Sequence, residues 1–134
     1  MTEPVSSRTV AERLDAAFGA DDLETVMGLL DPEVDWELVG PPEILCFGRY
    51  RGLAEVRRFF EILGERCVVD ALDPQRLTET AEGVVVEGSE RGSFRGRPAP
   101  YQMRWCHLTS VRDGRVVRFV DHMDTAPMLA AWRS

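Results

Sequence analysis

Residues 101–124, YQMRWCHLTSVRDGRVVRFVDHMD, constrain the fold more than any other stretch. Two runs rich in β-branched and aromatic residues flank Arg112-Asp113-Gly114-Arg115, and Asp-Gly between such runs is a strong short-range hairpin signal. Both histidines, His107 and His122, lie in this stretch, together with Asp121 and Asp124. A three-residue loop with Gly114 in the left-handed conformation would set Val111 against Arg115, His107 against Phe119 and Trp105 against Asp121. Residues paired across two strands share a face. One side of the hairpin would then carry Trp105, His107, Phe119, Asp121 and Met123, an apolar patch holding one acid and one imidazole. A two-residue turn would slide the register by one and separate His107 from Asp121.

The rest of the chain supplies elements for this hairpin to pack against. Residues 1–7 read as a frayed end. Val10, Leu14, Ala17 and Phe18 recur at helical spacing over 9–19, where Gly19 ends the helix. A second helix starts at Asp21, with Glu24 as capping-box partner and Leu23, Val26, Met27, Leu29 and Leu30 as its buried stripe; Asp31-Pro32 stops it. Residues 34–39 alternate as a strand, with Trp36 and Leu38 on one face and Asp35 and Glu37 on the other. A long apolar loop over 40–52 follows, covering a core edge or a pocket mouth. The next helix covers 53–63, with Phe59 and Phe60 inward.

From residue 66 onward every segment reads as strand. Residues 67–72 and 76–80 form one strand broken near Asp73-Pro74, 83–90 a second, and the hairpin completes the sheet. Residues 92–100 are too rich in Gly and Pro for central sheet. Asp124-Thr125 caps closing helical turns over 126–132.

Helices followed by a mostly antiparallel sheet predict a single α+β domain over 1–134, with the helices on one face. The final strands are apolar on both faces through Val116, Val117, Phe119 and Val120, so the sheet needs a cover on each side. A second copy of the chain, in a C2 homodimer, would supply the outer one.

Composition narrows the function classes. A formal charge of −7 argues against nucleic acid or an anionic membrane as partner. No apolar run is long enough for a membrane span and the N-terminal residues have no signal-peptide core, so a cytoplasmic protein is expected. Cys46, Cys67 and Cys106 have no zinc spacing and read as free thiols. The chain holds no Lys, which rules out a Lys Schiff base.

With these residues in view, the whole chain resembles the NTF2-like cone-fold superfamily and, within it, the SnoaL-like group. The matching pieces are ADDLETVMGLLDPEVDW, GRYRGLAEVRRFF and RWCHLTSVRDGRVVRFVDHMDTAPML. The resemblance implies a curved sheet wrapped around helices, an apolar pocket and a homodimer. Relatives include polyketide cyclases, ketosteroid isomerases, limonene-epoxide hydrolases and non-catalytic binding domains. The isomerase pattern is broken, since Leu38 stands at its base, Leu14 at its tyrosine and His107 at its sheet acid. The Arg-x-Asp pair of the epoxide hydrolases is missing near Glu87-Gly88-Ser89-Glu90. FVDHMD places Asp121 at the acid/base position of the SnoaL-like cyclases.

Asp121 and His107 are therefore the candidate catalytic pair. A carboxylate in an apolar pocket is disfavoured in its charged form and so suited to proton transfer. His107 would stabilise the substrate oxygen that gains charge. Such chemistry calls for no metal or redox cofactor. Trp36, Tyr50, Phe60, Trp105, Phe119 and Met123 are the candidate lining for an apolar carbonyl-bearing ligand. The alternatives are a structural or ligand-orienting His–Asp pair in a non-catalytic binding protein, or a dimeric interaction module whose cone is filled by its own side chains.

Overall fold

The computed structural model describes residues 5–134. Of the expected frayed end, residues 1–4 lie outside the described residues. Helix α1 (Ser7–Gly19) starts directly after Ser6, whose hydroxyl accepts from the Thr9 amide. Asp21 adopts a left-handed turn (φ 56°) that reverses the chain into α2 (Leu23–Leu29). The cap of α2 is Asp22 rather than Asp21, because that turn aims the Asp22 carboxylate at Thr25, which gives it both its amide and its hydroxyl. Glu24 does not close a capping box; it reaches across to Arg57 at 3.1 Å.

Strand β1 (Leu30–Val39) begins directly after α2, taking in Asp31-Pro32, and its register breaks between Leu30 and Asp35. A proline tolerates such an irregularity because it donates nothing to the ladder. Trp36 and Leu38 face inward as expected. The segment expected as loop over 40–52 contains a short strand, β2 (Gly48–Arg51), paired with the end of β1. Helix α3 (Gly52–Arg66) buries Val56 and Phe59 against the sheet.

Strand β3 (Cys67–Glu79) runs unbroken through Asp73-Pro74, and the expected break is a register shift between Pro74 and Arg76. Strand β4 (Gly83–Phe94) extends past Glu90, paired with β3 and β5 on either side, and two of its glycines leave room for aromatic rings. A Cβ on Gly88 would collide with the Trp105 indole, and one on Gly92 would meet the Tyr101 hydroxyl at 2.7 Å. Strands β5 (Pro100–Arg112) and β6 (Arg115–Met123) form the hairpin, and α4 (Thr125–Trp132) follows behind its Asp124 cap.

The six strands run in the order β2-β1-β6-β5-β4-β3, antiparallel throughout except for the parallel β1–β6 pair. Helix α1 packs over β3, β4 and β5, and α3 over β1 and β2. The two helices thus enclose the concave face, and the core sits between them and the central strands. Among the described residues no helix is long and apolar enough to cross a membrane.

The hairpin register departs from the expected one in an instructive way. Asp113 (φ 53°) and Gly114 (φ 76°) form a two-residue turn with both residues left-handed, the turn that matches strand twist. Alone, that turn would have parted His107 from Asp121. A bulge at the Ser110/Val111 step adds one residue to β6 and restores the phase, so His107 sits directly opposite Asp121, Thr109 opposite Phe119 and Trp105 opposite Met123. The predicted face survives with different partners.

Candidate functional site

Alternation along β5 builds the site. Tyr101, Met103, Trp105, His107 and Thr109 are all buried, while Gln102, Arg104 and Leu108 between them are exposed. On β6 the same face carries Phe119 and Asp121, and on the adjoining β1 it carries Trp36 and Leu38.

His107 is 1% exposed and lies between two carboxylates. Its Nδ1 is 3.0 Å from Asp15 Oδ1 on α1, and its Nε2 is 3.3 Å from Asp121 Oδ2 on β6. Trp105 stacks on the imidazole (3.8 Å, 13°) and Phe119 tilts against it at 4.8 Å. Burial pushes the imidazole toward its neutral form, but Asp121 and Asp15 outweigh that and raise its pKa from 6.5 to about 10. At neutral pH both ring nitrogens then carry protons. Nδ1 donates to Asp15, and Nε2 faces Asp121. Among the described residues the Oδ1 atom of Asp121 is buried without a partner, as are the indole Nε1 atoms of Trp36 and Trp105. Buried polar atoms are nearly always paired, so an orphan calls for an explanation.

A second polar pair lies on the same concave face. The Tyr101 hydroxyl donates to Glu90 Oε2 at 2.6 Å. Burial lifts the Glu90 carboxyl to about 7; Tyr101 opposes that shift, nearby Asp121 adds to it and His107 subtracts. Burial, then Glu90 itself, pushes the Tyr101 phenol up as well. Cys67 at the start of β3 is raised by its hydrogen bond with Cys46, with burial adding to the effect.

Trp36, Trp105 and Phe119 gather around His107 and Asp121, with Trp36 stacked on Phe119 at 4.0 Å. Phe60 joins through Trp36 at 5.6 Å. Met123 is half-buried at the sheet's lip, where it lines a cleft of about 430 Å³ with Trp105 and His122. Tyr50 is drawn away, because its hydroxyl donates to the Cys46 carbonyl at 3.0 Å and its ring packs on Phe59. His122 is exposed on the opposite face of β6, and Asp124 caps α4, accepting from the Ala126 amide.

Sequence reasoning missed Asp15, although its signal is visible. It stands four residues after Ala11 and three before Phe18, inside the apolar arc of α1 where an acid needs a partner. It also missed Glu90 and Tyr101 as a pair, although Val84, Val86, Gly88 and Glu90 share one strand face. Both nitrogens of His107 face carboxylates, Nδ1 that of Asp15 and Nε2 that of Asp121. Among the described residues no cluster of three His, Cys, Asp or Glu has metal-holding geometry.

Two clefts approach the interior from the helix side. One, of about 300 Å³, lies between α1, α2, α3 and β3, with Val26, Phe60, Leu63 and Cys67 in its walls. The other, of about 640 Å³, runs between α1 and β3 and includes Asp15 and Val86. Neither is lined by His107 or Asp121.

The SnoaL-like domain matches residues 11–119. Among solved structures, the chain is similar to an NTF2-like protein of unknown function from Burkholderia pseudomallei (TM-score 0.87, 26% identity, 96% of this chain and 98% of that one). It is similar in fold to an NTF2-like protein from Burkholderia thailandensis (TM-score 0.87, 23% identity, 97% and 99% covered). It is also similar in fold to TerC co-crystallised with polyporic acid (TM-score 0.83, 24% identity, 96% and 98% covered). No curated protein matches it. A match over most of the length, joined to this helix-covered six-stranded sheet, means that the chain belongs to the SnoaL-like domain family.

Proposed function

We propose that this protein binds an apolar, carbonyl-bearing small molecule and moves a proton on it with Asp121. The observation that carries the reading is the buried Asp15–His107–Asp121 array, in which Asp121 keeps one oxygen without a partner among the described residues. That oxygen is the free base. It takes a proton from a carbon next to the substrate carbonyl, and the electron pair moves onto the carbonyl oxygen.

In this reading His107 is a positioning residue and does not touch substrate, because both of its nitrogens are committed. It fixes the Asp121 carboxylate and, as an imidazolium, offsets the charge of two buried acids. Trp36, Trp105, Phe119 and Phe60 supply the apolar surroundings. Met123 sits at the lip, and Tyr50 holds the covering loop. Asp121→Asn and His107→Ala, assayed on polyketide-like, ketosteroid and epoxide substrates, test the assignment. Each change should lower turnover by at least about 10²-fold. A reaction that survives both changes intact rules it out.

A second reading is favoured by one observation, the packing of Trp36, Trp105 and Phe119 directly around the array. A cone filled by its own side chains would serve as a binding or dimeric interaction module. Saturable ligand protection against thermal unfolding without turnover would favour a binding protein. For either reading we propose a homodimer through the outer sheet face, where Leu108 and Val39 are 37% and 40% exposed. Sedimentation as a monomer at micromolar concentration would overturn that assembly. The three cysteines are free, which fits a reducing compartment, and we place the protein in the cytoplasm.

A further inference from the structure

The buried array is open at its Asp15 end. Asp15 is 5% exposed and gives its Oδ1 to His107. Its Oδ2 makes no hydrogen bond among the described residues, yet it is not one of the polar atoms sealed from water, as Asp121 Oδ1 is. The space it meets is the cleft of about 640 Å³ between α1 and β3, which Asp15 lines. We propose that this cleft binds a small apolar organic ammonium ion, whose N–H groups donate to Asp15 Oδ2.

Position, shape and charge carry this assignment, which goes beyond the proton-transfer reading and does not depend on it. Leu77, Val86, His107 and Asp121 pair in one row across β3, β4, β5 and β6, so the cleft at Leu77 and Val86 continues directly into the array. Arg8, Glu12, Asp15, Ala16, Gly19 and Ala20 stand along one stripe of α1 at helical spacing. The two alanines leave open the space that Leu72 and Leu77 face from β3. Gly19 narrows one end, since a Cβ built on it would lie 3.7 Å from Leu72 Cβ. The result is a concave, largely apolar site with one buried polar group in its wall, the usual design of a small-molecule site.

Charge selects the ligand class. The two arginines at the rim are already engaged, Arg8 with Glu12 at 2.8 Å and Arg76 with Glu87 at 3.7 Å, so neither is left over to hold an anion. Behind the cleft one imidazolium stands between two carboxylates, which leaves that row with net negative charge. Beside apolar walls such a charge is weakly screened and acts strongly on whatever enters. A neutral hydroxyl could donate to Oδ2 but would leave the charge uncompensated, and an anion would add to it. An ammonium ion supplies both the donor and the opposite charge, and its apolar body covers Leu72, Leu77 and Val86.

The test compares benzylamine, an ammonium ion at neutral pH, with the uncharged benzyl alcohol by isothermal titration calorimetry at physiological salt. Benzylamine should bind saturably, and benzyl alcohol about 10- to 100-fold more weakly, the range expected for a hydrogen bond to a charged group. In nitrogen NMR the His107 Nδ1 resonance, one hydrogen bond away from the site, should move along the same saturation curve, which an amine held elsewhere on this acidic chain would not produce. Asp15→Asn should weaken binding by a similar factor, with near-ultraviolet circular dichroism as the check that it is folded. Ala16→Phe, at an exposed position of α1, should block binding by filling the cleft while leaving the array in place. Equal binding of amine and alcohol, wild-type affinity in both variants, or no saturable binding to the wild-type chain would each overturn the assignment.

Discussion

The two faces of the sheet hold carboxylates in opposite ways. On the outer face Asp35 is gripped by the Arg49 guanidinium through two hydrogen bonds of 3.1 and 2.7 Å, with half of the arginine side chain in water. On the inner face Asp15 and Asp121 share one imidazole that is 1% exposed. The geometric quality is similar, and the environments are not. Water screens the first pair, so its loss is cheap. Nothing screens the second, so each member depends on the others. Ion pairing by itself therefore does not mark a site. A charge cluster retained where desolvation opposes it is a candidate for one.

The contrast is broken most forcefully at its centre. His107→Ala would leave two buried carboxylates without their shared cation, and urea denaturation at pH 7 should show a loss of about 3–5 kcal/mol. Stability unchanged by that substitution would mean that water already reaches the array.

Changing pH sharpens the same comparison without mutation. The pKa of His107 is raised in the folded state, from 6.5 to about 10, so its stabilising contribution is complete below 6.5 and is lost as pH rises through 10. Glu90 is raised from 4.5 to about 7, so its destabilising effect appears as pH climbs from 4.5 through 7. Both trends point the same way, and the melting temperature should fall steadily between pH 5 and 10. In Glu90→Gln the lower part of that slope should flatten, and in His107→Gln the upper part. On the outer face Asp35 is held below the usual carboxylate range by its Arg49 hydrogen bonds, against a small opposing effect of burial. Its contribution is present above the ordinary value of 3.8 and vanishes on acidification, outside that window.

Asp15→Asn should have a smaller effect, about 1–2 kcal/mol, because Asn can still accept from Nδ1 while the charge is lost. The His107 titration followed by nitrogen NMR should move down from about 10, since one of its two supporting carboxylates is gone. Smallest of all, Asp35→Ser should leave the urea midpoint within replicate scatter at physiological salt. A large loss there would show that water does not screen the Asp35–Arg49 pair.

Much of this arrangement is legible in the chain. Alternation along residues 101–123 assigns Trp105, His107, Phe119 and Asp121 to one face, because strand geometry enforces a period of two. Asp113-Gly114 announces the turn, since those residue types tolerate positive φ. The pairing was harder to read. The bulge near Val111 that brings His107 opposite Asp121 leaves no local mark, as both turn lengths are compatible with the residues around Gly114. The strand β2 was hidden in the segment 40–52 because four residues with one aromatic carry little periodicity; only the free edge of β1 makes them a strand.

Residues next to one another in the chain determine local preference: where the helices start, which strand positions point inward, and which acid lies in an apolar arc. They do not determine who meets whom. Asp15 and His107 are separated by 92 positions, and their contact exists because α1 lies across β5. The raised pKa of His107 and the raised pKa of Glu90 follow from packing of this kind. Both arise from burial and from neighbours that only the folded chain brings within a few ångströms.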